Sequence, residues 1–142
     1  MSCFLRISGP EFDPDDFSET CGIPPYRIAR KGELKYPSSP RITSTHDVSG
    51  CYYEVSDAEF EEFETQIQDA IHFLKSNAGA LTCIQGRTDV QYAALDFGIE
   101  LRDVAVHCDY LPPELLFLAG SLGLGIELSH YPISTEIDQP PA

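Results

Sequence analysis

Basic residues that could bind an anion are concentrated in one segment of the chain. Five of the nine Lys and Arg residues fall within fifteen positions, and they are Arg27, Arg30, Lys31, Lys35 and Arg41. Guanidinium groups bind carboxylates and phosphates through two parallel hydrogen bonds, and Gly32 would let backbone amides approach a ligand. We therefore predict an anion-binding or partner-binding site here. The alternative is that these cations form exposed ion pairs with acids of the first two helices, which contribute little stability.

Histidine and aspartate residues farther along the chain form a second group that could do chemistry. His107 and Asp109 are two positions apart and would share one face of a strand, and His130 on a neighbouring strand could add a third zinc ligand. Because histidines on strands are more often structural or surface residues, we predict no metal site. The chain has no phosphate-binding, dinucleotide-binding, hydrolase or zinc-protease motif. We therefore assign no catalytic residue and no cofactor, and whether the protein is an enzyme stays open.

The composition of the chain is strongly acidic. Among 142 residues, 23 Asp and Glu stand against 9 Lys and Arg, which gives a formal net charge of −14. Such a charge repels nucleic acid and anionic membranes and favours a basic partner, although it also serves solubility alone. We therefore expect neither a nucleic-acid nor a membrane partner.

Cysteine usage and the absence of a targeting segment predict a cytoplasmic protein. The five cysteines are widely spread and show no C-x-x-C spacing, so we interpret them as buried free thiols. The opening residues MSCFLRIS do not have the pattern of a signal peptide. No stretch approaches the roughly 20 apolar residues that a membrane helix needs.

Five strands and three helices are predicted to position these residues. Alternating or β-branched stretches predict strands over residues 4–8, 51–55, 90–101, 104–108 and 126–131. Helices are predicted to begin at Asp13-Pro14, at Ser56 and at Pro112-Pro113, and to end at Gly22, Gly86 and Gly123. The proline-rich residues 23–50 are predicted to form an irregular loop.

The second helix has the clearest sequence pattern. Ser56 and Glu59 have the spacing of a capping box, and Val55 and Phe60 have that of a hydrophobic staple. The residues predicted to face the core are Phe60, Phe63, Ile67, Ile71 and Leu74 in this helix, and Leu115, Leu116, Ala119 and Leu122 in the third. The segment 76–79 is a weak helix former, which predicts a kink or break.

These elements predict a single α+β domain over residues 1–131. The order β-α-β-α-β-β-α-β suits helices packed on one face of a mostly antiparallel sheet of about five strands, related to the ferredoxin-like arrangement. Residues 132–142 are polar and contain prolines, so we predict a flexible C-terminal tail. The oligomeric state stays open.

Three segments of the chain together resemble a known family. They are residues 4–9 followed by Asp13-Pro14-Asp15, Gly22-Ile23-Pro24-Pro25 leading to Lys31-Gly32-Glu33, and Leu111-Pro112-Pro113-Glu114-Leu115-Leu116 closed by Leu122-Gly123-Leu124. This pattern resembles the bacterial "domain of unknown function" family numbered 4279, over nearly the whole chain. The resemblance implies a bacterial cytoplasmic origin and a fold, and it implies no activity and no catalytic residue.

Two functions of different classes are compatible with these features. The first is a non-enzymatic interaction protein that neutralises a basic protein partner, as bacterial immunity proteins do, because the chain is small, acidic and free of catalytic motifs. The alternative is a domain that binds a small molecule or an anion, with or without enzymatic activity, in a pocket between the segment 27–41 and the sheet. A neighbouring toxin gene would favour the first, and a closed cavity near Arg27, Arg30 and Lys31 the second.

Overall fold

A computed structural model describes residues 1–39 and 41–132 of the chain. From residue 133 onward, the predicted C-terminal tail lies outside the described residues. The elements are β1 (Cys3–Gly9), α1 (Pro14–Cys21), β2 (Arg27–Ala29), β3 (Ser49–Ser56), α2 (Phe63–Leu81), β4 (Tyr92–Glu100), α3 (Pro113–Ser121) and β5 (Gly125–Tyr131). Within these ranges, no helix has the length and apolar character needed to cross a membrane.

The five strands form one sheet in the order β2-β3-β1-β4-β5. The central strand β1 pairs antiparallel with β3 and β4, β2 pairs antiparallel with β3, and β5 pairs parallel with β4. The predicted α+β class with a mostly antiparallel sheet is therefore confirmed. Since β3 and β4 run in the same direction on either side of β1, β3-α2-β4 is a split βαβ unit of the ferredoxin-like kind, whereas β4-α3-β5 joins neighbouring strands.

The two faces of the sheet have different surroundings. Along β1, Leu5 and Ile7 are fully buried, whereas Arg6 between them is only partly buried. Leu5 lies opposite Tyr53 on β3 and Leu95 on β4, and these residues belong to one core with the buried residues of all three helices. The helices therefore cover one face, as predicted, and the side chains of Arg6 and its register partners lie on the other face.

The predicted ends of α1 are confirmed. The carboxylate of Asp13 accepts hydrogen bonds from the amides of Asp15 and Asp16 at 3.2 and 3.1 Å, and Pro14 occupies the first turn. Gly22 follows the helix with φ +76°, a left-handed conformation that glycine adopts at no steric cost. Phe17 on the inner side of this helix is fully buried.

The predicted start of α2 is wrong. Ser56 is the last residue of β3, where it pairs with Cys3, and its hydroxyl donates to the carboxylate of Asp69 at 2.6 Å. Because pairing in the sheet fixes the backbone of Ser56, that residue does not cap a helix, and α2 begins seven residues later at Phe63. Phe60 consequently lies before the helix and does not form the predicted staple.

The core-facing stripe of α2 is confirmed from Phe63 to Leu74, whereas Phe60, which was predicted to belong to it, is 38% exposed, and the helix has no break at residues 76–79. Ile67, Ile71 and Leu74 are buried, and the partly buried Phe63 packs edge-on against Phe97 with ring centroids 5.6 Å apart. The helix continues through residues 76–79 and passes at Thr82–Ile84 into a short 3-10 turn, before the predicted end at Gly86. Burial of one face thus outweighs the weak local helix preference of residues 76–79.

The prediction of a strand at residues 104–108 is wrong, and the fifth strand of the sheet is instead a short one inside the proline-rich segment, at the edge next to β3. Both edges of β4 are already paired, with β1 and β5, so no edge of β4 is left for a strand formed by residues 104–108. Val104 and Val106 are 57% and 74% exposed in a loop instead. The fifth strand is β2, which pairs with β3 and begins soon after the prolines that predicted an irregular loop.

Helix α3 begins at Pro113, as predicted, and Gly123 follows its end with φ +76°. Leu115 and Ala119 are buried, but Leu116, predicted to face the core, is 49% exposed. Leu116 is adjacent to the fully buried Leu115, and the packing direction of Leu115 turns Leu116 outward.

The five cysteines are free thiols, as predicted, but not all are buried. Cys3, Cys21 and Cys51 are buried, Cys83 is partly buried and Cys108 is exposed. Burial raises the pKa of Cys51 to about 11, so this thiol stays protonated at neutral pH. Cys108 is exposed because its segment is a loop and not a strand of the sheet.

Candidate functional site

Two cations of the predicted binding segment are held by acids of α1 and its approach. Arg30 donates two hydrogen bonds to the carboxylate of Asp15, at 2.6 and 2.9 Å, and hydrogen bonding from Arg30 lowers the pKa of Asp15. The Nζ atom of Lys31 lies 3.9 Å from a carboxylate oxygen of Glu11. For these two residues the structure supports the ion-pair interpretation, since each lies next to a carboxylate of the same chain.

The other three cations of the segment lie in different surroundings. The guanidinium group of Arg27 lies 4.4 Å from the ring centroid of Tyr52, on the face of the sheet opposite the helices. Lys35 and Arg41 are exposed in the loop between β2 and β3, where the Lys35 amide donates to the carbonyl of Ser44 at 3.0 Å. The five predicted residues therefore do not form one site: two contact acids on or before α1, one lies on the sheet and two are exposed in the loop. Of the five, only Arg27 lines a cavity described below.

A charged network centred on Arg6 crosses the helix-free face of the sheet. The Nη1 atom of Arg6 donates to Asp96 and to Glu127, at 3.1 Å each. The hydroxyl of Tyr92 donates to Glu127 at 2.7 Å, and that of Ser129 donates to Asp96 at 2.6 Å. The network links β1, β4 and β5, so it fixes the positions of both carboxylates relative to the central strand.

Tyr92 and Arg6 both keep their protons in this network at neutral pH. Burial and the hydrogen bond to Glu127 raise the pKa of Tyr92 to about 12, so its phenol keeps the proton that it donates. Burial opposes the charge of Arg6, but the neighbouring Tyr52 and Asp96 outweigh it and raise the pKa of Arg6 above its usual value. One cation therefore faces two carboxylates in a fixed arrangement.

A groove of about 330 Å³ lies beside this network on the same face, and we call it the sheet-face groove. Its lining residues are Phe4, Arg6, Tyr26, Arg27, Tyr52 and Asp96. The rings of Phe4 and Tyr26 have centroids 5.9 Å apart, and the ring of Tyr52 has Arg27 at 4.4 Å and Arg6 at 5.7 Å. The groove thus combines flat aromatic walls with two guanidinium groups.

A larger cavity of about 610 Å³ lies between the start of α2, the end of β4 and the loop of residues 101–112, and we call it the acidic pocket. Its lining residues are Phe60, Glu61, Phe63, Glu64, Ile67, Gln68, Ile99, Glu100, Arg102, Cys108, Asp109, Tyr110 and Pro112. The volume falls in the range of about 300–1,000 Å³ typical of ligand pockets. None of the five cations predicted as a site lines it.

Carboxylates outnumber cations around the acidic pocket. Glu61, Glu64 and Glu100 line it, and in the described part of the chain none of them lies within 4.0 Å of a cationic nitrogen. The lining cation is Arg102, which is already held by Asp109 at 3.0 Å. The pocket therefore presents three carboxylates that form no ion pair with a cation of the described chain.

A buried glutamine fixes the chain that enters the acidic pocket. The Nε2 atom of Gln66 donates to the carbonyl of Gly98 at 2.9 Å and to that of Glu59 at 3.2 Å. Phe60, which follows Glu59, stacks on Tyr131 with ring centroids 5.0 Å apart and an angle of 15° between the ring planes. A Cβ atom at Gly98 would lie 2.8 Å from the Phe60 ring, so the absence of a side chain at Gly98 permits this stacking. These contacts hold the start of α2 against the end of β4.

The histidine and aspartate group considered as a zinc site comes partly together beside the acidic pocket. The Nε2 atom of His107 lies 2.9 Å from Asp109 and 3.1 Å from the Nε atom of Arg102, and the rings of His107 and His130 have centroids 5.9 Å apart. Over residues 1–39 and 41–132, however, no group of three His, Cys, Asp or Glu side chains is arranged to hold a metal ion. These contacts instead brace the loop that forms one wall of the pocket.

A second ion cluster joins α1 to the turn before β4. Arg87 donates two hydrogen bonds to Asp89, at 2.9 and 2.8 Å, and one to Asp16 at 2.9 Å. Its guanidinium carbon lies 5.6 and 5.4 Å from the ring centroids of Phe12 and Phe17. Hydrogen bonding from Arg87 lowers the pKa of Asp89. Like the Arg6 network, this cluster pairs its cation inside the molecule.

The acidic pocket was not predicted from the sequence, whereas the pocket predicted between the segment 27–41 and the sheet corresponds to the sheet-face groove at Arg27 alone. Glu61 and Glu64 lie near the predicted start of the second helix, but α2 begins at Phe63 and Glu61 belongs to the preceding turn. Glu100 alternates with core residues of β4, and Arg6 alternates with core residues of β1. This alternation indicates only that both side chains lie on the side of the sheet away from the core. The one available signal was the density of acids over residues 57–64, which no basic residue interrupts.

The fold and the two cavities together define the class of the protein. Over residues 1–39 and 41–132 it is an acidic α+β protein in which no helix covers one face of the sheet and three carboxylates without ion-pair partners line a pocket. The chain belongs to the family described as "Domain of unknown function (DUF4279)", whose model matches residues 1–132. No curated protein and no solved structure matches the chain.

Proposed function

We propose that this protein is a non-enzymatic binding protein of the bacterial cytosol that neutralises a basic protein partner, in the manner of an immunity protein. The observation that carries the proposal is the acidic pocket, in which Glu61, Glu64 and Glu100 have no cation within 4.0 Å in the described chain. Unpaired carboxylates around one cavity repel each other, and a cation supplied by a partner relieves that repulsion.

The walls of the acidic pocket suit a cationic side chain as well as its charge does. Phe60, Phe63 and Tyr110 line the pocket, and Tyr110 is 74% exposed. Aromatic faces attract guanidinium and ammonium groups, and the attraction is stronger where water is excluded. An Arg or Lys of the partner would therefore gain carboxylate contacts and aromatic contacts in one cavity.

The charge of the whole molecule acts in the same direction. A net charge of −14 on 142 residues attracts a basic protein over several ångströms before contact, and this attraction raises the association rate. The pocket then supplies the specific contacts that slow dissociation. The proposal therefore assigns recognition to the pocket and steering to the overall charge.

Binding to the product of an adjacent gene tests the proposed function. A basic protein encoded next to this one, purified and titrated with it, is expected to bind and to lose its own activity on binding. The association rate should fall steeply between about 0.1 M and about 1 M salt, because the Debye length shortens from about 10 Å to about 3 Å. Binding that does not respond to salt, or a basic neighbour that keeps full activity, would contradict the proposal.

Two triple variants of equal charge separate the pocket from the general charge. The pocket variant combines Glu61→Gln, Glu64→Gln and Glu100→Gln, and it should weaken binding by about a hundredfold or more through faster dissociation. The control variant combines the exposed changes Glu19→Gln, Glu33→Gln and Asp47→Asn, which lie on α1 and in the loop between β2 and β3. It should only slow association. Equal losses in the two variants would remove the pocket from the proposal.

The alternative, an anion site formed by the whole segment 27–41, has less support. Asp15 and Glu11 already engage Arg30 and Lys31, so these two cations would have to leave their partners to bind a ligand. Arg27 is in a different position, since it lines a cavity. The anion-binding idea therefore narrows to this one residue of the segment.

A further inference from the structure

Arg27 and Arg6 lie against the same ring, that of Tyr52, but they differ in what they bind. Arg6 donates to two carboxylates, Asp96 and Glu127. Arg27 is exposed, and across residues 1–39 and 41–132 no carboxylate lies within 4.0 Å of its guanidinium nitrogens. Its guanidinium carbon lies 4.4 Å from the centroid of the Tyr52 ring, and its N–H groups, which no carboxylate of the described chain engages, are available for a bidentate contact. Arg27 is therefore a positioned anion-binding group.

The walls of the sheet-face groove favour a flat apolar body next to that anion. Phe4 and Tyr26 meet at an interplanar angle of 52° with centroids 5.9 Å apart, and Tyr26 is 55% exposed. Aromatic rings contact each other best in tilted or offset arrangements, so a planar ligand ring can be accommodated beside them. At about 330 Å³ the groove is at the small end of ligand sites.

The floor of the groove restricts the charge of the ligand to a single anionic group. Asp96 lines the groove, and Asp96 and Glu127 share one guanidinium, which leaves an excess of negative charge beside the cavity. A second anionic group on the ligand would be repelled. Each oxygen of Asp96 accepts a hydrogen bond, one from Ser129 and one from Arg6, so this carboxylate is held by the protein at the edge of the groove.

We infer that the sheet-face groove is a binding site for a small aromatic monocarboxylate, separate from the acidic pocket. The ligand carboxylate accepts hydrogen bonds from the guanidinium of Arg27, and its ring lies against Phe4 and Tyr26. The inference does not rest on the proposed partner, because the groove lies on the helix-free face of the sheet and shares no lining residue with the acidic pocket.

Benzoate and its neutral isostere benzamide test this inference by NMR titration of the whole protein. Benzoate is expected to shift the amide resonances of Phe4, Tyr26 and Tyr52 in a saturable manner. Benzamide should bind about tenfold more weakly, because it cannot form the charge-assisted pair with Arg27. Absence of saturable shifts at these residues, or equal affinity for the two compounds, would overturn the inference.

Arg27→Gln locates the anion contact within the groove. The variant should bind benzoate about tenfold more weakly and benzamide unchanged, since only the charged contact is lost. Arg27→Lys should fall between the two, because it keeps the charge and loses the bidentate geometry. Arg41→Gln removes an exposed cation of the loop that follows β2 and should leave both affinities unaltered. An equal effect of Arg27→Gln and Arg41→Gln would mean that benzoate responds to general charge only, which contradicts the site.

Because Arg27 is exposed at the end of an edge strand, its replacement should leave the fold intact. The amide spectrum of each variant without ligand verifies this point in the same experiment. If Arg27→Gln shifted core resonances such as those of Leu5 and Leu95, benzoate binding to Arg27→Lys would decide in its place, with loss relative to the wild type expected and no loss counting against the site.

Discussion

The open face of the sheet and the acidic pocket use carboxylates in opposite ways. On the sheet, Asp96 and Glu127 both pair with the guanidinium of Arg6 at 3.1 Å, so both carboxylates have a cationic partner inside the molecule. In the acidic pocket, Glu61 and Glu64 line a cavity and have no such cation in the described chain. Internally paired charges hold strands together, whereas unpaired ones around a cavity are available to another molecule.

This contrast predicts different responses to the removal of charge. A paired cluster loses stability when one member is removed, because the remaining charges are left partly buried without a partner. An unpaired cluster loses no stability and can gain some, because neutralisation relieves repulsion.

Removal of Arg87 should have the largest effect on stability. Its side chain is 15% exposed, and it holds Asp89 and Asp16 while packing against Phe12 and Phe17. Arg87→Met should lower the free energy of unfolding by about 3 kcal/mol, as expected when one partner of the mostly buried Arg87–Asp89 pair is removed. Urea denaturation of the wild type and the variant measures this difference.

Lys75 provides the matched control for Arg87. It forms an ion pair with Glu114, and both side chains are more than half exposed. Lys75→Met should change the free energy of unfolding by less than about 0.5 kcal/mol. If Lys75→Met and Arg87→Met lowered stability by the same amount, burial and pairing would not distinguish the clusters.

Removal of Arg6 should have a smaller effect than removal of Arg87. Arg6→Met leaves Asp96 and Glu127 facing each other, and we expect a loss of about 2 kcal/mol, the scale of a hydrogen bond to a charged group. Adding Asp96→Asn and Glu127→Gln to Arg6→Met should restore part of that loss, because the unpaired charges are removed. Losses that simply add in the combined variant would show that the three residues do not form one network.

The Arg87 cluster should also leave a signature in the pH dependence of stability. Since Arg87 lowers the pKa of Asp89 in the folded protein, the pair contributes stability above the unfolded pKa of about 3.9 and loses it as the pH falls through the folded pKa. Thermal unfolding from about pH 5 to about pH 2 should therefore show a shallower decline for Arg87→Met than for the wild type. Parallel curves would contradict the assignment.

The acidic pocket should show the smallest effect on stability. The triple variant Glu61→Gln, Glu64→Gln and Glu100→Gln should keep the free energy of unfolding within about 0.5 kcal/mol of the wild type or raise it slightly. These carboxylates have no cationic partner to lose in the described chain. A loss as large as that of Arg6→Met would mean that they hold the fold, and it would remove the contrast between the two regions.

Much of the fold could be predicted from local patterns, and the errors occurred where the sheet overrides them. The caps of α1 at Asp13 and Gly22 depend on neighbouring residues alone, and they were correct. Ser56 has the local pattern of a helix start, but pairing with Cys3 holds it in β3. Residues 104–108 alternate like a strand, yet β4 has no edge left to pair with them. Pairing between distant segments decides such cases, and no local pattern encodes it.

The cavities were harder to predict than the fold, because each combines residues from separate elements. The basic segment 27–41 was visible in the sequence, but its cations point to different places, and only Arg27 meets residues of β1, β3 and β4 in the groove. The acids before α2 were visible too, but Glu100 and the 101–112 loop complete the pocket from 36 or more positions away. Composition indicates that charge is present, whereas topology decides which charges face each other.

The central claim is that the acidic pocket receives a cationic side chain, and NMR titration with an arginine-rich peptide tests it most directly. The methyl resonances of Ile67 and Ile99, which line the pocket but carry no charge, should shift saturably in the wild type and not in the triple variant Glu61→Gln, Glu64→Gln and Glu100→Gln. Shifts confined to exposed acids such as Glu19, with Ile67 and Ile99 unmoved, would contradict the claim.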